Sequence, residues 1–259
     1  MPIDALYLSR ILLNPHSRQV ISELDHPYEM HRTLLRAFPE VPAGNPGPRD
    51  TFSVLFRAEP GDPSGPVTIL VQSTERADWT FLERLPEYLW QERGSAPYDC
   101  KDILPSLNRL EPGRVLSFRL RANPTRRVAK QDDPMKGKRV ELSREQDQLD
   151  WLARKGTGSG DHSGGFELVT KNAQDRNGEA ISLPCVRACS ERKILGLKKQ
   201  PGAGHKVTQL SVMFEGLLRV TDPGAFVETL ARGIGSGKAF GFGLLSVAPV
   251  RASGLGGVP

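Results

Sequence analysis

His26-Pro27-Tyr28-Glu29-Met30-His31-Arg32-Thr33-Leu34 opens a helix, and the elements on either side of that helix decide the fold. Asp25 or His26 fits the N-cap, and Pro27 suits the first helical position, where its missing N–H would be unpaired in any residue. The helix is expected over about Pro27–Phe38. At about 100° per residue, Met30, Leu34, Ala37 and Phe38 fall on one apolar stripe. Tyr28, His31, Arg32 and Arg36 fall elsewhere. Before the helix, Ala5–Leu13 is an apolar strand. After it, Phe52–Arg57 and Val67–Gln72 form a strand pair joined by a Pro- and Gly-rich connection. Trp79–Trp90 has helical character. The order β-α-β-β-α is most of a ferredoxin-like unit.

The second half opens with Val115–Arg121, where Leu116, Phe118 and Leu120 alternate with Val115, Ser117, Arg119 and Arg121. One face is apolar and the other basic. Ser143–Lys155 is an amphipathic helix, and Gly156–Gly165 a flexible loop. Strands are expected at about Phe166–Thr170, Leu183–Arg187, Lys193–Lys199 and Val207–Val220, then a helix near Pro223–Arg232 and a last strand from Phe240. Residues 197–206 form a basic hairpin tip. His162 and His205 fall in loops.

Charge is unevenly spread. The formal net charge is +5. Residues 1–100 nevertheless carry nine basic and fourteen acidic side chains, whereas residues 101–139 carry eleven basic and four acidic. Residues 187–206 carry six basic and one acidic. Two basic stretches in one half of the chain are the footprint of a polyanionic partner. No apolar run approaches the roughly 18 residues of a membrane span. The opening residues have Asp4, no basic start and no cleavable signal. Cys100, Cys185 and Cys189 form no zinc pattern. These features give the expectation of a cytoplasmic protein that does not enter membranes.

Two segments carry chemistry. Tyr28 and His31 lie three apart, so their side chains are neighbours. Alone, such a pair reads as packed side chains. A histidine that titrates near neutrality, beside a phenol and the cations Arg32 and Arg36, also suits proton transfer at a phosphodiester. The second segment is Gly233-Ile234-Gly235-Ser236-Gly237-Lys238-Ala239-Phe240-Gly241-Phe242-Gly243. A tight turn and an RNA-binding loop fit it equally. It is not a P-loop, because Ala239 follows Lys238, and a loop that precedes a strand is not a dinucleotide fingerprint. A zinc hydrolase is disfavoured: there is no HExxH, and His26 and His31 lie on poorly aligned faces.

Six motifs in order from residue 6 to residue 249 resemble the CasE family, the CRISPR repeat-cleaving endoribonucleases of the type I-E Cascade complex. They are Leu6-Tyr7-Leu8-Ser9-Arg10-Ile11-Leu12-Leu13-Asn14-Pro15, Pro27-Tyr28-Glu29-Met30-His31-Arg32, Leu116-Ser117-Phe118-Arg119-Leu120-Arg121-Ala122-Asn123-Pro124, Val212-Met213-Phe214-Glu215-Gly216, Asp222-Pro223, and the Gly-rich loop with Leu244-Leu245-Ser246-Val247-Ala248-Pro249. The resemblance implies an α+β protein of two tandem ferredoxin-like (RAMP/RRM-like) domains, divided here as residues 1–95 and 96–259. It implies metal-independent cleavage of precursor CRISPR RNA at the base of the repeat stem-loop, leaving a 2′,3′-cyclic phosphate and a 5′-hydroxyl. The protein would stay with the guide RNA as a Cascade subunit beside the backbone subunit. The family's catalytic pair falls on Tyr28 and His31. No role carries onto His26, and no cofactor or metal is expected.

In the family the basic hairpin enters the groove of the RNA stem. Lys198 and Lys199 stand where relatives carry arginine, and lysine gives a point charge without bidentate contacts. The expected RNA-binding set is Arg32, Arg36, Arg119, Arg121, Arg126, Arg127, Lys198, Lys199, Lys206, Gly233, Gly235, Gly237 and Lys238. The alternative is a non-catalytic RNA-hairpin-binding subunit of the same fold.

Overall fold

The structure is a computed structural model that describes residues 3–42, 44, 46–59, 61, 65–92, 94–130, 133–158, 163–174, 178–191, 193–200 and 203–250. In the first half the chain runs through β1 (Tyr7–Leu13), α1 (Arg18–Asp25), α2 (Pro27–Leu35), the one-turn helix α3 (Pro48–Thr51), β2 (Leu55–Ala58), β3 (Val67–Ser73) and β4 (Tyr98–Asp102). The sheet order is β2-β3-β1-β4, and the pairings are antiparallel. This is the ferredoxin-like arrangement, with the first strand central and the fourth beside it. The sheet takes its last strand from residues beyond 95. The expected second helix is missing. Trp79–Trp90 forms only a 3₁₀ turn at Thr80–Arg84 before further turns. Glu87 there has φ 54°, and Pro86 removes an N–H that a helix would need.

The second half continues with α4 (Leu104–Leu107), β5 (Val115–Ala122), β6 (Thr125–Lys130), β7 (Asp133–Glu141), α5 (Glu145–Thr157), β8 (Phe166–Leu168), β9 (Thr170–Gln174), β10 (Ala180–Pro184) and β11 (Val186–Ser190). Then come β12 (Ile194–Gln200), β13 (Ala203–Gln209), β14 (Val212–Val220), α6 (Pro223–Arg232) and β15 (Leu245–Pro249). The sheet order β11-β14-β5-β15, with β8 also on β14, repeats the same topology. Here both crossover helices, α5 and α6, are present. The alternation read in β5 is real: Leu116, Phe118, Leu120 and Ala122 are buried in the second core with Trp151, Phe214 and Phe226. The first core gathers Ile11, Met30, Leu34, Phe56, Ile69 and Trp79.

Several strands differ from expectation: Phe166–Thr170 and Leu183–Arg187 are each divided between two strands, β8 and β9, and β10 and β11. The segment from Phe240 is not a strand. Gly241 and Gly243 have φ of 80° and 93°, which a pleated strand cannot hold, so β15 starts only at Leu245. Val207–Val220 divides into two strands at Leu210-Ser211, because Leu210 N donates to the Glu141 carboxylate and leaves the ladder. His205, expected in a loop, lies in β13 opposite Lys198; His162 lies outside the described residues. The β6–β7 hairpin falls outside the expected strands. Its described positions Arg126, Arg127, Val128, Arg139 and Val140 are exposed, and its sequence has no apolar alternation to betray it.

Candidate active site at the domain junction

Helix α2 begins with His26 at the N-cap and Pro27 in the first turn. It is wedged between β2 on one side and the Gly-rich loop on the other. That wedge changes the face assignment. The apolar stripe of Met30 and Leu34 is buried as expected, but His31, about 100° further round, is buried too, at 5% exposure. Tyr28 stays 41% exposed. The His31 ring stacks on Phe56, with centroids 6.0 Å apart and planes 14° from parallel. Tyr28 lies 6.2 Å from His31 and 5.9 Å from Phe240, centroid to centroid. Phe240 ends the 3₁₀ turn Lys238–Phe240 within the Gly-rich loop. The two sequence segments therefore meet at one place, one from each half of the chain.

The electrostatics follow from that burial. Among the described residues, His31 Nδ1 has no hydrogen-bond partner. Desolvation first, then the nearby Arg49 charge, pushes the imidazole down to about 4, against a smaller opposing pull from Asp50. His31 is neutral at pH 7. Lys238 feels the same surroundings: burial, then Arg49, holds its ammonium below the ordinary lysine range. Its Nζ donates to the Arg232 carbonyl at the end of α6. Arg49 sits on α3, ion-paired to Asp50. Sequence reading passed over Arg49, Phe56 and Phe240. The available signal was an aromatic set between loop glycines, and a cation just ahead of the strand that faces the helix.

The glycines have an internal explanation. At Gly233, φ is 71°, and a Cβ would stand 2.6 Å from Leu55 Cδ1 across the domain junction. At Gly237, φ is 81°, and a Cβ would meet Gln209 Oε1 at 2.3 Å. At Gly235, φ is 84°, and a Cβ would lie 3.1 Å from the Trp151 ring, a milder contact. These residues are demanded by the turn and its packing, before any ligand is invoked.

The junction is pinned by Arg57, which is 1% exposed. Its guanidinium pairs with Glu59 and donates to the Arg119 carbonyl at 2.9 Å, the Leu244 carbonyl at 2.8 Å and Ser246 Oγ at 2.7 Å. Gln72 Nε2 adds a 2.7 Å bond to the Leu230 carbonyl. A buried, fully hydrogen-bonded guanidinium of this kind holds geometry, because freeing any partner leaves a desolvated charge.

The expected RNA-binding residues divide. Arg119 is engaged by Glu215 at 2.5 Å and Glu59 at 2.6 Å, and Arg121 by Glu191 at 2.9 Å. Both therefore brace the sheet and are not free cations. Arg32 pairs with Glu29 at 2.9 Å, and the Arg36 guanidinium lies 4.6 Å over the Phe81 ring. Arg126 and Arg127 are exposed on β6. Lys198, Lys199 and Lys206 lie on the β12–β13 hairpin, and their side chains fall outside what is described. Glu141 ties the roots of the two hairpins: it accepts from Lys193 Nζ at 2.7 Å and from Leu210 N at 2.8 Å. Among the described residues no group of three or more His, Cys, Asp or Glu side chains is placed to hold a metal ion, and no helix is long and apolar enough to cross a membrane.

Residues 6–249 match the family described as "CRISPR associated protein". The chain is 36% identical over 246 residues to the CRISPR-associated endoribonuclease Cse3 of Thermus thermophilus, covering 94% of this chain and 100% of that one. It is 27% identical over 251 residues to the CRISPR system Cascade subunit CasE of Escherichia coli, covering 95% and 100%. Among solved structures, Cse3 bound to a 19-nucleotide RNA superposes with a TM-score of 0.68 at 35% identity, covering 95% of this chain and all of that one.

Proposed function

The chain belongs to the CRISPR-associated Cse3/CasE family, and from that premise we propose that it cuts precursor CRISPR RNA at the base of the repeat stem-loop. The observation that carries this reading is the meeting of Tyr28 and His31 with Phe240 of the Gly-rich loop at the domain junction. The ribose 2′-hydroxyl attacks the adjacent phosphorus, the bond to the 5′ oxygen breaks, and a 2′,3′-cyclic phosphate and a 5′-hydroxyl result. His31 and Tyr28 divide the proton traffic. An imidazole that is neutral at pH 7 can accept the 2′ proton, and the tyrosine hydroxyl can donate to the phosphate or to the departing oxygen. General acid–base help of this kind contributes about 10²–10⁴-fold. Lys238, held at the loop, supplies positive charge against the phosphate.

The β6–β7 hairpin, with Arg126 and Arg127, and the β12–β13 hairpin, with Lys198, Lys199 and Lys206, would hold the stem. RNA helices offer a deep, narrow major groove, so contact there leans on backbone and shape. The protein then stays on the guide RNA as a subunit of Cascade, beside the backbone subunit. Its three free cysteines suit the reducing cytoplasm. Incubating the protein with stem-loop repeat RNA in excess EDTA should yield products with cyclic-phosphate and 5′-hydroxyl ends. Products with 5′-phosphate ends, or activity abolished by EDTA, would refute it.

A further inference from the structure

A cavity of about 610 Å³ lies between α2 and the root of the β12–β13 hairpin. Its walls are apolar, built from Pro27, Met30, Phe56, Ala58, Ile194 and Phe240. Phe56 touches His31, and Phe240 touches Tyr28. The cavity therefore shares walls with the proton-transfer pair and is contributed by both halves of the chain. Its size falls within the range of small-molecule sites, about 300–1,000 Å³.

The polar part of the lining includes Glu23, Asp25, Glu59, Glu191 and Ser211, with the cations Arg121 and Lys193. Glu59 already accepts from Arg57 and Arg119, and Glu191 from Arg121 and Ser211. A carboxylate has about four lone-pair sites, so both retain capacity to accept. The four carboxylates outnumber the two cations, which are already paired with Glu191 and Glu141, so the lining disfavours a phosphate. Apolar walls with an aromatic face and carboxylate acceptors in the lining suit an uncharged, flat ring that bears N–H donors. In a chain that handles RNA, such a group is a nucleobase.

We propose that this cavity receives one amino-bearing nucleobase, adenine, guanine or cytosine, turned out of the strand beside the scissile phosphodiester and lodged against Phe240. The proposal rests on the endoribonuclease reading above. Lodging the base there draws its backbone across Tyr28 and His31, so the cavity would select which phosphodiester is presented. Bases are read in this manner when they are unstacked and laid on aromatic side chains.

The test measures affinity and single-turnover cleavage separately, on stem-loop repeat RNAs carrying one abasic nucleotide at each position flanking the cut. One position should lose roughly ten- to a hundredfold in affinity, the usual scale for a base stacked on an aromatic ring. Uracil at that position should be nearly as poor, for want of an exocyclic amino group. Ala58→Trp, which fills the cavity, should lose as much on unmodified RNA and nothing further on the abasic RNA. A folded Ala58→Trp protein that binds and cuts like wild type overturns the proposal. So does the absence of any sensitive position, or uracil bound as well as the other bases. If Ala58→Trp does not fold, Ile194→Trp fills the cavity from the opposite wall with the same expected outcomes. A protein that binds but never cuts defeats the cleavage reading, while its abasic affinity profile still decides the cavity.

Discussion

His31 is boxed in by Phe56 and Tyr28 at the meeting of two domains, whereas Arg126 and Arg127 stand exposed on the two-stranded β6–β7 ribbon. The first region is held by the pinned Arg57 and by glycines packed to van der Waals contact. The second is anchored chiefly at its root, where Glu141 joins the two hairpins. Proton transfer needs fixed distances and a controlled dielectric, which a buried junction provides. Phosphate binding needs charge that can follow a flexible polyanion, and surface ribbons provide that. On the proposed reading, cleavage and affinity reside in separable parts of this chain. The charge distribution agrees: the segment bearing Tyr28 and His31 has an excess of acidic residues, and the hairpins have an excess of basic ones.

The largest expected effect breaks one side of this comparison alone. His31→Ala should lower single-turnover cleavage by about 10²–10⁴-fold while leaving the Kd for repeat RNA nearly unchanged. Tyr28→Phe should lose less, because the ring contact with Phe240 survives. An equal loss of binding in His31→Ala would mean that the two functions are not separate.

A second effect sharpens the claim of a buried junction. Unfolded, His31 takes up its proton near 6.5; folded, it resists until about 4. Acid therefore favours the unfolded chain. The contribution is fully present above pH 6.5 and disappears as pH falls from there through 4, by roughly 3 kcal/mol at most. Denaturant unfolding at pH 7 and at pH 4.5 should show this loss in wild type, and His31→Asn should lack it. An NMR titration of His31 centred near 6.5 would contradict the burial argument.

The smallest effect belongs to the ribbons. Lys198→Ala with Lys199→Ala should weaken RNA binding and flatten the slope of log K against log salt by about one to two units. Cleavage at saturating protein should barely change. Cleavage that fell as far as in His31→Ala would place the hairpin in the chemistry.

Much of this was legible in the sequence, and the failures have physical causes. Regular alternation in Val115–Arg121 and the capped Pro223–Arg232 helix lie where expected. Both patterns are local, and packing did not override them. The pair Tyr28 and His31 could be found from its spacing, but not its asymmetry, because which helix faces are covered depends on a loop two hundred residues away. For the same reason Arg119 and Arg121 look like free cations in sequence, while their carboxylate partners come from Glu59, Glu191 and Glu215 on other strands. The glycines of residues 233–243 suggested space for a ligand; their neighbours Leu55, Trp151 and Gln209 fill that space in the fold.

The central claim is that an RNA 2′-hydroxyl, activated at the Tyr28–His31 junction, performs the cleavage. Its most direct test is a repeat stem-loop with a single 2′-deoxyribose at the cut, compared with the all-ribose RNA for both affinity and cleavage. The deoxy substrate should bind with the same Kd and remain whole under conditions that convert the all-ribose RNA to product. Cutting of the deoxy RNA at the same phosphodiester would show that water or another nucleophile attacks, and the account of the active site would be wrong.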